Sequence, residues 1–474
     1  MHDPVSAAAL PAEPTGFWSA VRDSLRGMQQ DYTRIPIGRA IALLSIPMVL
    51  EMVMESLFAV VDIFWVSRLG ADAVATVGLT ESVLTLVAGV AIGLSMAVTA
   101  MVSRRVGEGD LEGAAVTAVQ TIGVGVLVSI PVGIVGVVWG RDLLRLMGAS
   151  ESVVSMGWGY TAVLLGGSWT MLLLYLVNAV FRGAGDPAIA MRTLWLANAI
   201  NIALGPFFIF GLGPFPRLGV MGAAVATTIG RGCGVLYQLS ALMRKQGRVV
   251  IRRSQLRLQP EVMTRLLRIS GPGIFQFLIA TASWLVLVRI ISLFGSDAVA
   301  GYTVSIRVLM FVILPSWGLC NAAATLVGQN LGAGRPDRAE RSVWQTGLYN
   351  MAYMAVVTVF FLVWGEMVIR FFASDPGVLR YGIECTRIVS YGYIAYAWGM
   401  VMVQAFNGAG DTWTPTVINL FCYWVFQIPL AWALARPFGM EASGVFWAIF
   451  CAESLMTAVA MLAFRRGRWK GKQV

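Results

Sequence analysis

Almost every stretch of this chain long enough to form a helix is apolar, and the stretches recur at a length set by a lipid bilayer. Mostly uncharged runs lie at 40–65, 75–103, 113–138, 157–181, 191–212, 219–243, 266–292, 300–326, 342–371, 385–408, 413–434 and 443–464. A helix needs about 20 such residues to cross a hydrocarbon layer roughly 30 Å thick. Backbone polar groups in lipid must be satisfied within the element, so runs like these fold as helices. The composition agrees: 57% of the residues are hydrophobic and 13% charged, against about 45–50% and about 25% in a soluble domain. A soluble globular protein is excluded. The expectation is an all-α polytopic membrane protein with twelve transmembrane helices.

Residues 1–39 are polar and contain proline without an apolar centre, so they do not resemble a cleavable signal, and the first span is expected to stay in the mature protein. An interfacial helix is expected near Phe17–Met28. With the N-terminus inside, the inner segments hold twenty-four of the 35 lysines and arginines, the outer loops eight, and Arg231, Arg289 and Arg307 fall within spans. The positive-inside rule then places both termini in the cytoplasm. The net charge of +10 is an orientation signal, and no nucleic-acid partner is expected.

The chain is also duplicated. A shift of 225 residues puts Pro47 on Pro272, GADAVA (70–75) on GSDAVA (295–300), VGEGD (106–110) on LGAGR (331–335) and FRGAGD (181–186) on FNGAGD (406–411). Near the end the shift slips to 222, where Gly222 meets Gly444. Each unit holds six spans, an even number, so both enter the membrane from the same side and are related by a pseudo-two-fold along its normal. The predicted organisation is a cytoplasmic tail (1–39), an N-terminal lobe (40–243), a basic cytoplasmic linker (244–265), a C-terminal lobe (266–464) and a basic tail (465–474), with a cleft between the lobes.

Several chemistries drop out. The one histidine, His2, lies in the polar tail, which removes histidine-based nucleophile activation, zinc sites and histidine proton relays. Cys233, Cys320, Cys385, Cys422 and Cys451 are far apart and read as small buried hydrophobes. The glycine-rich pieces lack the spacing of a phosphate-binding loop and read as cytoplasmic turns, with Asp186 and Asp411 placed to cap the next helices. With no nucleotide site in view, an ion gradient remains as the source of energy. No cofactor or metal centre is expected.

Charges inside the spans carry the functional reading, because each costs about 2.5–3.5 kcal/mol at the centre of the membrane. Glu51, Glu55 and Asp62 share the first span, and at about 100° per residue they fall within roughly 40° of one face. Like charges and burial make such a stripe protonatable, as a site exchanging H⁺ or Na⁺ for a cationic solute requires. Glu81, at comparable depth on the second span, extends it. The plainer alternative is that Glu51 and Glu55 merely neutralise Arg231 on the sixth span or bond to neighbouring helices. Arg231 is matched by Glu453 at the shift of 222, and a structural ion pair is the expected role of each. Arg289 and Arg307 are expected to snorkel to the headgroups. The second unit has Gln276, Ala280 and Leu287 where the first has Glu51, Glu55 and Asp62, which places ion binding in the N-terminal lobe. Met54, Phe58, Gln276, Trp284 and Trp398 are the candidates for the cleft wall, where methionine and aromatic rings suit varied lipophilic cations.

Taken together, IPMVLEMVMESLFAVVDIFWVSRLG (46–70), GVMGAAVAT (219–227), TLVGQNLGAG (325–334) and FNGAGDTWTP (406–415) resemble the multidrug and toxic compound extrusion transporters. The resemblance runs from about residue 40 to 464. It implies a twelve-helix, two-lobe exporter that alternates between inward- and outward-open states and couples efflux of organic cations to entry of H⁺ or Na⁺. By the same resemblance Asp62 matches the first-span acid of the branch with damage-inducible F-type and archaeal members, Na⁺ being one ion it could hold. Asn201 and Thr227 match the polar partners of that acid. The chain departs from the branch at Gly205, where the fifth-span motif usually carries an aspartate. Small organic cations and the bilayer are the expected partners, the inner membrane the expected location, and a monomer the expected form. A lipid-linked saccharide flippase of similar architecture is the alternative. An intramembrane enzyme using Glu51 and Glu55 has no nucleophile or metal motif to support it.

Overall fold

The structure is a computed structural model and describes residues 17–244 and 247–474; His2 lies outside the described residues. In the tail, α1 (Phe17–Arg26) forms where a short helix was expected. The N-terminal lobe then runs through α2 (Ile37–Ser67), α3 (Ala71–Glu108), α4 (Leu111–Leu146), α5 (Glu151–Gly166), α6 (Ser168–Ala184), α7 (Pro187–Phe210) and α8 (Val220–Met243). The C-terminal lobe repeats the order: α9 (Pro260–Ile291), α10 (Ser296–Gly332), α11 (Pro336–Phe372), α12 (Pro376–Tyr391), α13 (Tyr393–Gly408), α14 (Trp413–Asn419), a π-helical stretch (Leu420–Gln427), α15 (Ile428–Ala435) and α16 (Glu441–Arg465). The seventh crossing thus begins at Pro260, and the linker is shorter than the sequence reading placed it.

Among the described residues, eleven helices are long and apolar enough to cross a membrane, with α5 and α6 acting as one. The tenth expected crossing, 385–408, is also helical but broken: α12 and α13 are 16 residues each and part at Gly392. Its counterpart 225 residues earlier breaks at the matching glycine, Gly167, between α5 and α6. The duplication therefore extends to local geometry.

Small residues decide how the lobes meet. Gly93 of α3 packs on Ile274 of α9, and its counterpart Gly318 of α10 packs on Val49 of α2. Gly107 lies against the carbonyl of Gln329, and its counterpart Gly332 against the carbonyl of Arg104. In every case a β-carbon would overlap the partner, so close approach of the backbones requires glycine. These paired contacts are the pseudo-two-fold expressed in atoms.

The seam lies toward the end where the C-terminal tail sits, with Arg104 donating to the Lys472 carbonyl at 2.6 Å. There the segment before α2 straps the lobes together: the Tyr32 hydroxyl donates to the Gly185 carbonyl at 3.1 Å. Arg335 donates to the carbonyl of Thr33 at 2.8 Å, and Arg338 to those of Tyr32 and Ile35. Gln329 donates to Gly183 at 2.9 Å. Asp186 and Asp411 do not cap the following helices through their side chains as expected. Asp186 instead accepts from the Arg248 backbone N–H in the linker at 2.5 Å, and Asp411 holds Lys472 of the C-terminal tail at 3.2 Å. A buried carboxylate near a basic segment is better satisfied by that segment than by its own helix. Burial pushes the Asp186 carboxyl up to about 6, although the Arg248 contacts oppose the shift. The cysteines are free, and Cys320, Cys385 and Cys422 are buried as expected of small apolar groups.

Candidate transport cavity

Beyond the seam the lobes enclose a cavity of roughly 320 Å³ lined from both sides. Its N-terminal wall carries Glu51 and Glu55 on α2 with Asn178 and Arg182 on α6. Its C-terminal wall carries neutral amides and aromatic rings, among them Gln276, Asn321, Gln404 and Tyr423. Gln404 donates to Asn321 at 3.1 Å and Asn407 to Gln404 at 3.0 Å, a chain of amides with no net charge.

The first-span carboxylates share a face of α2 but divide into two environments. Glu51 is 2% exposed and meets Arg182, not Arg231: its Oε1 accepts from Arg182 Nη1 at 3.3 Å and from Asn178 Nδ2 at 3.1 Å. Gln238 donates to Asn178 at 2.7 Å and fixes that amide. The other Glu51 oxygen, Oε2, has no hydrogen-bond partner among the described residues. Glu55 accepts from Asn198 of α7 at 3.4 Å. Nearer the other end of α2, Asp62 interacts electrostatically with Glu81 of α3 and Arg231 of α8, and Tyr160 of α5 lies within reach of all three. The single stripe read from helical spacing is thus an inner pair facing the cavity and an outer pair beside Arg231. Residues 11 apart on one helix are separated by about 16 Å, enough to place them in different surroundings.

Asn201 and Thr227 are brought together, but the amide of Asn201 donates to the Thr227 hydroxyl at 2.6 Å, and Thr227 in turn donates to Ala223; among the described residues no hydrogen bond joins either to Asp62. Gly205 has open space where a β-carbon would stand. Of the two residues expected to have structural ion-pair roles, Arg231 lies within electrostatic reach of Asp62, whereas Glu453 accepts from the Tyr423 hydroxyl at 3.2 Å. They sit at matched positions of different lobes, which keeps them apart. Arg307, expected to reach for headgroups, lies within electrostatic reach of Glu81 in the opposite lobe.

Of the wall candidates, Gln276 lines the central cavity and Trp284 a second one in the C-terminal lobe. Met54 and Phe58 line neither. Trp398 is packed inside the C-terminal lobe, against Gly347 and Trp344. Arg182, Asn178, Asn198 and Tyr423 were missed. Arg182 had a visible signal: it stands in FRGAGD where the second unit has Asn407 in FNGAGD, a charge present in one lobe only.

A duplicated helical bundle that closes on itself at one end and holds between its halves a cavity with charged and amide side chains in its wall defines a multi-pass membrane transporter. The MatE family model matches residues 47–207 and 272–433, one segment in each lobe, and the chain belongs to that family. It is 25% identical over 451 residues to the "Probable multidrug resistance protein YoeA" of Bacillus subtilis (strain 168), covering 94% of this chain and 97% of that protein. It is 25% identical over 445 residues to the "Probable multidrug resistance protein NorM" of Thermotoga maritima, covering 92% and 94%. A solved structure described as the outward-facing conformation of a multidrug resistance MATE family transporter superposes with a TM-score of 0.86 at 25% identity, covering 93% of this chain and 98% of that one.

Proposed function

We propose that the protein is a secondary antiporter of the cytoplasmic membrane that exports organic cations in exchange for H⁺ or Na⁺ by alternating access. The observation that carries this reading is the polarity of the central cavity, whose ionisable lining is Glu51, Glu55 and Arg182 facing an uncharged amide and aromatic wall. Glu51 and Arg182 offset each other, which leaves Glu55 as the net charge offered to a solute. The multidrug-resistance names of the relatives support the same cargo. A carrier of anionic lipid pyrophosphates would need free cations in the wall, and the one arginine there is already paired.

In this reading both termini are cytoplasmic, so the seam and strap close the inner side and the cavity communicates with the outside. The outer cluster of Asp62 and Glu81 takes the coupling ion. Arg231 lies within electrostatic reach of Asp62. Binding H⁺ or Na⁺ there lowers the negative charge that faces Arg231 and shifts the balance between two lobe arrangements, because an ion moves such an equilibrium only by its differential affinity. Loss of the ion inward restores affinity for the cation. The protein acts as a monomer, since each chain carries both halves of the cavity.

The test is transport of a fluorescent cation into proteoliposomes under separately imposed pH and Na⁺ gradients. One gradient should drive transport in the wild type, and Asp62→Asn should abolish it while the protein remains folded. Full gradient-driven transport by that variant would remove Asp62 from the mechanism, and no response to either gradient in the wild type would refute antiport.

A further inference from the structure

Glu453 is a carboxylate in search of a positive charge. It lines a second cavity of roughly 220 Å³ in the C-terminal lobe, which borders the central one across Ala280, Tyr396 and Tyr423, residues that line both. Among the described residues no lysine, arginine or histidine lines this chamber. At the matched position of the N-terminal lobe stands Arg231, which has the carboxylate of Asp62 within electrostatic reach. The cation of one lobe therefore has an opposite charge near it, whereas the lining around the acid of the other holds no cation among the described residues.

The surroundings of Glu453 are built from aromatic rings. Tyr423 donates to Oε1 at 3.2 Å, while Trp284, Tyr302 and Tyr393 form walls. Tyr393 is 2% exposed, lines the chamber beside the helix break at Gly392, and its hydroxyl has no hydrogen-bond partner among the described residues. A buried hydroxyl left unpaired costs about 1–3 kcal/mol, so its retention marks a place where something else arrives. Tyr423 and Gln427 reach the chamber from the π-helical stretch 420–427, whereas the matching stretch of the first lobe, 195–202, is ordinary α-helix within α7. π-Helical turns occur often at functional sites because the wider turn re-aims side chains.

We propose that this chamber is a subsite for the cationic head of a small tertiary or quaternary ammonium compound, with Glu453 as its counter-ion and the rings of Trp284, Tyr302, Tyr393 and Tyr423 around it. The inference rests on the export reading and specifies where the solute's charge is held. Ring faces attract a weakly hydrated ammonium, whereas a small inorganic cation needs several oxygen ligands. The site lies in the opposite lobe from the coupling acids, so solute and ion need not compete for one carboxylate.

The probe is radiolabelled tetraethylammonium, whose charge does not titrate, bound at equilibrium to the purified full-length protein in lipid nanodiscs without any gradient. Glu453→Gln, nearly isosteric, should weaken binding about tenfold or more, with partial recovery in Glu453→Asp. Tyr423→Phe, which leaves the carboxylate but removes its donor, and Trp284→Ala should each weaken it severalfold, and they carry the test if the Gln variant does not fold. Wild-type affinity in Glu453→Gln, or in both of the other variants, overturns the proposal. So does displacement of the probe by millimolar Na⁺ or K⁺ that disappears in Glu453→Gln, which would assign the site to an inorganic ion. Gradient-driven transport by the wild type is read separately: if it occurs while the variants bind normally, the subsite fails and the export reading stands.

Discussion

Arg182 Nη1 lies 3.3 Å from Glu51 Oε1 in the wall of the central cavity, both side chains being largely buried. Removing one member strands the other charge, and breaking a buried pair costs about 3–5 kcal/mol. Arg182→Gln should therefore lower thermal stability clearly, Glu51→Gln somewhat less, and the double variant less than the sum of the two. Thermal unfolding of the four proteins in one detergent checks this; additive losses would show that the residues are not coupled.

Glu81 and Arg307 face each other electrostatically from different lobes without forming an ion pair. In an alternating-access cycle that attraction strengthens when the lobes close on this side. Glu81→Gln and Arg307→Gln should each slow gradient-driven transport severalfold, and the exchanged pair Glu81→Arg with Arg307→Glu should recover part of the rate. An exchanged pair slower than both single variants would argue against a shared role.

Gly107 admits no β-carbon against the Gln329 carbonyl. Gly107→Val should force the seam apart, abolish turnover and favour the state open at the terminal end. Spin-label distances across the seam would lengthen in this variant; unchanged distances with normal transport would show that the lobes do not rely on this contact.

Asp186 carries a pH dependence of its own. Its carboxyl is raised from 3.8 to about 6 by burial, so between those values the folded protein binds more protons than the unfolded chain. The sign follows: this group's contribution is fullest below about pH 4 and is lost as pH rises through 6, to the extent of about 2–3 kcal/mol. Asp186→Asn keeps an acceptor for the Arg248 N–H without the charge. Its melting temperature relative to wild type should be higher at pH 7.5 than at pH 4.5, and an equal difference at both would refute the shift.

Gly205 has free space beside it. Gly205→Asp should fold with little loss of packing and add an acid to the N-terminal lobe. Its effect would appear as an altered pH or Na⁺ dependence of transport with nearly unchanged yield after size-exclusion chromatography.

How far the sequence carried these conclusions depended on whether a property was periodic. Helical crossings, the duplication and the glycines of the turns are local or repeating. The matched breaks at Gly167 and Gly392 followed from the same repeat even though the reading did not place them. Helical spacing also put Glu51, Glu55 and Asp62 on one face, yet it could not say what stood opposite each. The partner of Glu51 comes from residue 182, in a piece that read as a tight turn, and its side chain turns inward from the end of α6.

By itself, then, the sequence determined that the chain crosses a membrane about twelve times, in two related halves, with three acids on one face of the first span and none at the matched positions of the seventh. Apolar length and internal repetition are properties of the chain that no packing can undo. The tertiary structure alone decided which groups stand near each charge: Arg182 in contact with Glu51, Arg231 within electrostatic reach of Asp62, and a tyrosine rather than an arginine at Glu453. Electrostatic partners in a low-dielectric interior are set by distances of a few ångströms between helices remote in sequence, and only their packing fixes those distances.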